Sequence, residues 1–179
     1  MQPWFIATER FDAKASPRVW PRYVAGSGLR QLEEVVSLDA LLCPPVLREV
    51  KPTYWPHIVN EDFMLPFFVD LEFLLQEVAA IPSKNVLCVF RNPDIAPAPP
   101  ESNNWSFIGY DLVDVCGGNS ALINCGGFPK SFSDAELNSK GLLSSRNRAV
   151  DVQQSLRREY RDEAHADCHV WAIFRGDGL

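Results

Sequence analysis

The sequence predicts an α/β (α+β) fold: a mainly antiparallel central sheet of about six strands with two main helices packed on it. Three observations lead there. Apolar strings rich in aromatic and β-branched residues recur between turn-forming residues, at Pro3–Glu9, Asn85–Arg91, Trp105–Val115 and Cys168–Phe174. Two stretches, Pro66–Ala80 and one running from Ser144 or Ser145 to about Tyr160, instead space their apolar residues three and four apart. Between them Trp105–Cys125 reads as a β-hairpin, because Gly117-Gly118-Asn119 suits a tight reversal. The chain of 179 residues is expected to form a single domain over 1–179, large enough to bury a core without disulfides or metals.

Pro3–Glu9, with Trp4, Phe5 and Ile6 in succession, is the first strand. Arg10–Arg30 reads as a loop in which arginines and Lys14 alternate with Trp20 and Tyr23. Such interleaving can mark a phosphate or RNA surface, but more often the rings pin a loop to the core. Gln31–Val36 is expected to be a second strand, followed by a short helix, Leu38–Leu42, capped by Ser37. Val46–Val59 is broken by Pro52 and Pro56, and Tyr54, Trp55 and Ile58 are expected to pack against the sheet.

Proline suits the first turn of the Pro66–Ala80 helix, whose stripe is Phe67, Leu71, Leu74 and Val78. Asn92–Asn104 holds Pro93, Pro97, Pro99 and Pro100 and is a loop. Strict alternation along Trp105–Val115 sets Ser106, Ile108, Tyr110, Leu112 and Asp114 against Phe107, Gly109, Asp111 and Val113. Both sets are mostly apolar, so Trp105, Phe107, Ile108 and Leu112 are expected to be buried in a central strand. Ser120–Cys125 returns antiparallel; Ser133 caps a short turn through Leu137; Ser144 or Ser145 caps a longer helix to about Tyr160, with Ala149, Val152, Leu156 and Tyr160 as its apolar stripe.

No apolar run is long enough to span a bilayer, and the N-terminus lacks the pattern of a signal peptide, so the reading is cytoplasmic. The five cysteines, with no CxxC spacing, are expected to be free thiols. Charge is uneven. Between Pro52 and Pro129 nine acids face only Lys84 and Arg91, a net −7, whereas the rest of the chain is +1. That argues against direct nucleic-acid contact and suits either a solvated face or a basic protein partner.

The chemistry-bearing residues are few. His165, Asp167 and His169 stand two apart, so a strand starting early enough would set them on one face as metal ligands of a small metal-dependent enzyme. The alternative is a polar corner between a helix and a strand. Neither GxSxG, GK[ST] nor GxGxxG occurs. Asp111 and Asp114 interrupt an apolar arm; a buried carboxylate needs partners, and Arg91 or Arg175 is expected to supply one for Asp111.

The strings Phe107–Asp114 (FIGYDLVD), Ser120–Gly126 (SALINCG), Leu137-Asn138 with Gly141-Leu142, and His165–Arg175 (HADCHVWAIFR) carry a likeness, with fainter echoes at Val35–Leu42 and Asn85–Pro93. In them the chain resembles immunity proteins of bacterial toxin–immunity systems, most nearly the cytosolic immunity proteins of contact-dependent growth inhibition. The resemblance implies a protein without enzymatic activity or cofactor that binds a cognate toxin domain of a large secreted protein and neutralises it. Toxin domains of such systems are often nucleases, and a basic nuclease would suit the acidic middle. On that reading Glu61, Asp62, Asp70, Asp111 and Asp114 are the candidate toxin-binding residues, with neither nucleic acid nor membrane as a direct partner.

Overall fold

The computed structural model describes residues 2–59, 63–101, 104–114, 116–123, 131–163 and 166–179. Its centre is a four-stranded, wholly antiparallel sheet of β1 (Trp4–Glu9), β4 (Lys84–Arg91), β6 (Cys168–Gly176) and β5 (Trp105–Asp114), in that spatial order. A separate two-stranded ribbon joins β2 (Phe11–Asp12) to β3 (Glu34–Val35). The helices are α1 (Trp20–Ser27), α2 (Leu71–Val78) and α3 (Arg146–Glu159), with 3₁₀ turns at Pro52–His57 and Asp134–Glu136. The class is α+β, as the sequence predicts, with a smaller sheet. None of the described helices is long and apolar enough to cross a membrane.

The shortfall in strands has two sources. Of Gln31–Val36, only Glu34–Val35 pairs, and it joins the ribbon instead of the main sheet. The expected return arm, Ser120–Cys125, is reduced to one bridge, Ser120 to Val113, after which Ala121–Ile123 turn away; residue 125 lies outside the described residues. The ladder stops at Ser120, whose hydroxyl donates to Asp111 Oδ1 and accepts from Leu122 N, so the chain turns locally after that one bridge. The free edge of β5 is instead covered in pieces, by Leu143 at Tyr110 and by Ser120 at Val113.

Helix boundaries moved for local reasons. Asp70 caps α2 by accepting from Phe73 N at 3.0 Å, so the helix starts at Leu71 and not at Pro66. Phe68 stays extended and exchanges both backbone hydrogen bonds with Phe5 at the edge of β1. Ser145 caps α3, and Ser133 and Glu136 form a capping box on the second 3₁₀ turn. Where a Leu38–Leu42 helix was expected, a turn forms whose amides, Leu41 N and Leu42 N, both donate to Asp39 Oδ1. Inside the expected Arg10–Arg30 loop lies α1, with Trp20 and Tyr23 both packed edge-on to Phe11.

Each face of the sheet is covered, and by different means. One face presents Phe5, Ala7, Val86, Cys88, Phe90, Tyr110, Leu112, Val170 and Ala172 to the apolar sides of α2 and α3. The other presents Ile6, Leu87, Val89, Val113, Trp171 and Ile173 to irregular chain carrying Val36, Leu38, Leu65, Phe67 and Leu142. Phe67, placed by its spacing on the α2 stripe, belongs to this second face, where its ring stacks on Trp171 at 5.0 Å. A face roofed by loops buries backbone amides that no ladder can satisfy, so side-chain acceptors must be brought to them.

Candidate partner-binding face

Asp111 is such an acceptor. It projects from β5 into the loop-covered face and is fully buried. Its Oδ2 accepts from Ser37 Oγ at 2.5 Å and Leu38 N at 3.1 Å, and its Oδ1 from Ser120 Oγ at 2.6 Å and Leu112 N at 2.8 Å. Beside it the buried Asp39 accepts from Ser120 N, Leu41 N and Leu42 N. Burial raises the Asp111 pKa and the Asp39 charge adds to the rise, while the Ser120, Ser37 and Leu38 donors oppose it.

The expected cations are elsewhere. Arg175 pairs with Glu34 at 2.8 Å, and Arg91 lies over the rings of Trp4 and Phe63 at 4.9 and 5.2 Å. Asp111 therefore holds loops together and presents nothing to a partner. Asp114, also buried, has a similar task, with Gly118 N at 3.1 Å from Oδ1 and Asn119 Nδ2 at 2.7 Å from Oδ2.

Of the other sequence-predicted residues, Glu61 and Asp62 lie outside the described residues. Asp70 reaches solvent while serving as the α2 cap. Its pKa is lowered, first by the Phe73 amide and then by His57, whose Nδ1 is 3.0 Å from Oδ2. The His57 ring stacks flat on Phe73 with centroids 3.8 Å apart, and Tyr54 donates its hydroxyl to Glu77 Oε2 at 2.6 Å. That hydrogen bond to Glu77 is the main reason the Tyr54 pKa rises. The Pro52–His57 turn is thereby fastened to α2 along one side.

On this fastened turn Trp55 is 67% exposed. The sequence reading packed it against the sheet with Tyr54. In a 3₁₀ turn consecutive side chains diverge, so burying Tyr54 sends Trp55 outward. The exposed carboxylate of Glu72 and the part-exposed Asp70 stand on the helix to which the turn is attached, and Val69, also exposed, is hydrogen-bonded through its amide to His57 O. A second exposed apolar group surrounds the turn after β5. Leu41 is 83% and Met64 65% exposed, Met64 N donates to Cys116 O, and Ala40 N to Gly118 O, each at 2.8 Å.

The His165–His169 corner is described in part. His165 lies outside the described residues. Asp167 pairs with Arg157 at 3.1 Å. Asn92 accepts from Val170 N through Oδ1, which orients its amide to donate to His169 Nδ1 at 2.8 Å. Among the described residues no group of three or more His, Cys, Asp or Glu side chains is arranged to hold a metal ion.

Compared with known proteins, the chain matches no family model, no curated protein and no solved structure.

Proposed function

We propose that this chain is an immunity-type protein, which binds a cognate toxin domain in the cytoplasm and blocks it by stoichiometric association. The observation that carries the reading is Trp55. An exposed tryptophan on a turn locked to a helix is a pre-organised anchor: it offers large apolar area and loses little conformational freedom on binding. Asp70, which meets His57 of the same turn, and Glu72 on the helix to which the turn is fastened suit a partner whose contact surface pairs an apolar pocket with a basic rim. A basic nuclease domain has that chemistry, and the resemblance of the C-terminal strings to immunity proteins of contact-dependent growth inhibition points the same way.

The test takes the reading frames that neighbour this chain's own and uses the C-terminal domain of a large secreted protein found among them; a neighbourhood without one would count against the proposal. Purified together, the two should elute as a one-to-one complex by size exclusion with light scattering, and the domain's toxicity should be lost on co-expression. Trp55→Ala should weaken the complex. Two components that never co-elute would overturn the proposal, as would protection that persists when this chain is present at a small fraction of the toxin, since that is turnover and not binding.

A further inference from the structure

Glu34 is a second buried carboxylate, and unlike Asp111 it is surrounded by cations. Its Oε1 is 3.2 Å from Arg10 Nε and accepts from Asn85 Nδ2 at 3.3 Å. Its Oε2 is 2.8 Å from Arg175 Nη1 and 3.6 Å from Lys140 Nζ. The Arg10 guanidinium is held from two sides, by Glu34 at Nε and by Asp12 Oδ2 3.4 Å from Nη2, and the Arg175 guanidinium by one nitrogen; both line a pocket of about 270 Å³ at the end of the sheet where β4 begins and β6 ends. The remaining Arg175 donors make no hydrogen bond within the described residues. Lys84, the first residue of β4, enters the same pocket; its ammonium donates to Ile81 O at 3.1 Å and meets no carboxylate among the described residues.

We infer that this pocket is a binding site for a phosphate-type oxyanion, carried by a small phosphorylated ligand or free in solution. Three cations converge on it, two of them pre-oriented by a buried acid, so their spare donors are held in place before a ligand arrives. Glu34 and, through Arg10, Asp12 offset two of these three positive charges. Asp177, the acid on the rim, accepts a hydrogen bond from Ser106 at 2.5 Å. The volume falls just below the roughly 300 Å³ at which drug-sized ligand sites begin, which fits a phosphate group with little attached. Arg10 also lines a neighbouring cleft of about 510 Å³ with Lys14, Ser16 and Ser83, where the organic part of a phosphate ester would extend. The inference is independent of the partner-binding reading.

The test is calorimetric titration of the full chain with inorganic phosphate and with glycerol 3-phosphate, in chloride buffer of constant ionic strength. Saturable binding of at least one is expected. Lys84→Gln should weaken it about tenfold or more, as the loss of one charge-assisted hydrogen bond does, while Lys51→Gln should leave it unchanged. Equal affinity for both probes would identify the bare oxyanion as the ligand; a preference for the ester that Lys14→Gln removes would place its organic part in the larger cleft. Should Lys84→Gln fail to fold, the rate of Lys84 acetylation in the unmodified chain decides: phosphate should slow it several-fold relative to Lys51. Absence of saturation with both probes, full affinity in Lys84→Gln, or unprotected Lys84 would each overturn the site.

Discussion

Phe107 and Tyr110 stand three residues apart on one strand, yet their rings meet at 5.1 Å on the same face of the sheet. Strict alternation would put them on opposite faces. The register of β5 against β6 slips between Phe107 and Gly109, and this bulge turns every later side chain over. Gly109 is what permits it: its φ is +144°, and an added Cβ would lie 2.7 Å from Leu142 Cβ. Asn138 Nδ2 donates to Ile108 O at 2.8 Å and holds the opposing loop in place. Gly109→Ala should therefore cost about 1–3 kcal/mol or more from backbone strain and overpacking together. Urea unfolding checks it; an unchanged midpoint would mean that the loop gives way freely.

The same slip leaves Phe107 44% exposed, whereas Leu112 is fully buried. The sequence reading placed both in the core. Leu112→Ala should cost about 2–5 kcal/mol and Phe107→Ala clearly less, near 1 kcal/mol. Reversal of that order in equilibrium unfolding would show that the Phe107 ring is more deeply engaged than its exposure indicates.

The Asp111 carboxylate is legible in its consequences with pH. Both of its oxygens accept a backbone N–H and a serine hydroxyl, so Asp111→Asn must set its NH₂ against the amide of Leu38 or of Leu112. A loss of about 1–3 kcal/mol is expected at neutral pH. Because burial raises the folded-state pKa above the ordinary 3.8, the native state binds this proton more tightly than the unfolded chain. The stability that follows is complete below the unfolded value and is lost as pH rises through the raised folded one. Relative to Asp111→Asn, the parent chain should therefore gain stability on acidification from neutral pH toward 4. Parallel stability curves for the two proteins would contradict this.

Among the described cysteines, Cys43, Cys88 and Cys168 are buried and Cys116 is exposed. Burial pushes the thiols of Cys88 and Cys168 up to about 12 and raises that of Cys43 as well. Alkylation of native protein at pH 8 should reach Cys116 quickly and these three only on unfolding, as seen by mass spectrometry. After unfolding without reductant all five cysteines should react; a shortfall of two would reveal a disulfide and count against a reducing compartment.

Four strands and two helices were legible because each carries its pattern in a continuous run of residues. What escaped depends on residues distant in sequence. The return arm stops at Ser120, whose hydroxyl is bonded to Asp111 and Leu122 N, and Val36 N bonds to Lys140 O, leaving only Glu34–Val35 to pair. The Phe107/Gly109 slip was signalled only by a glycine in a strand. Asp70 is of a residue type that caps helices, but a helix read as starting at Pro66 puts it in the interior, and the Phe73 amide it accepts from shows only in the fold. For the site, the acidic middle was readable as composition, but spacing alone could not separate Asp111 and Asp114, turned inward to loop amides, from Asp70, turned toward solvent. Nor could it single out Trp55 from Tyr54, since which of two adjacent rings is buried follows from the hydroxyl partner that Glu77 provides.

The last expectation concerns recognition. If Trp55 and the acids at the start of α2 meet a basic toxin, anchor and charge should separate kinetically. Trp55→Ala removes buried contact area and should speed dissociation, weakening the complex by about 2 kcal/mol or more, as central tryptophans do. Glu72→Lys leaves the anchor and should mainly slow association, with an effect that fades at high salt. The cost to the fold is small, a few tenths of a kcal/mol for a cation in the first turn of α2. Glu159→Lys, at the end of α3, is the charge control. Surface plasmon resonance at low and high salt, on variants of unchanged melting temperature, separates these effects. Equal slowing by Glu72→Lys and Glu159→Lys would reduce the acidic contribution to net charge alone. An unaltered complex with Trp55→Ala would remove this face from the interface and shift attention to Leu41 and Met64 around the Cys116–Gly118 turn.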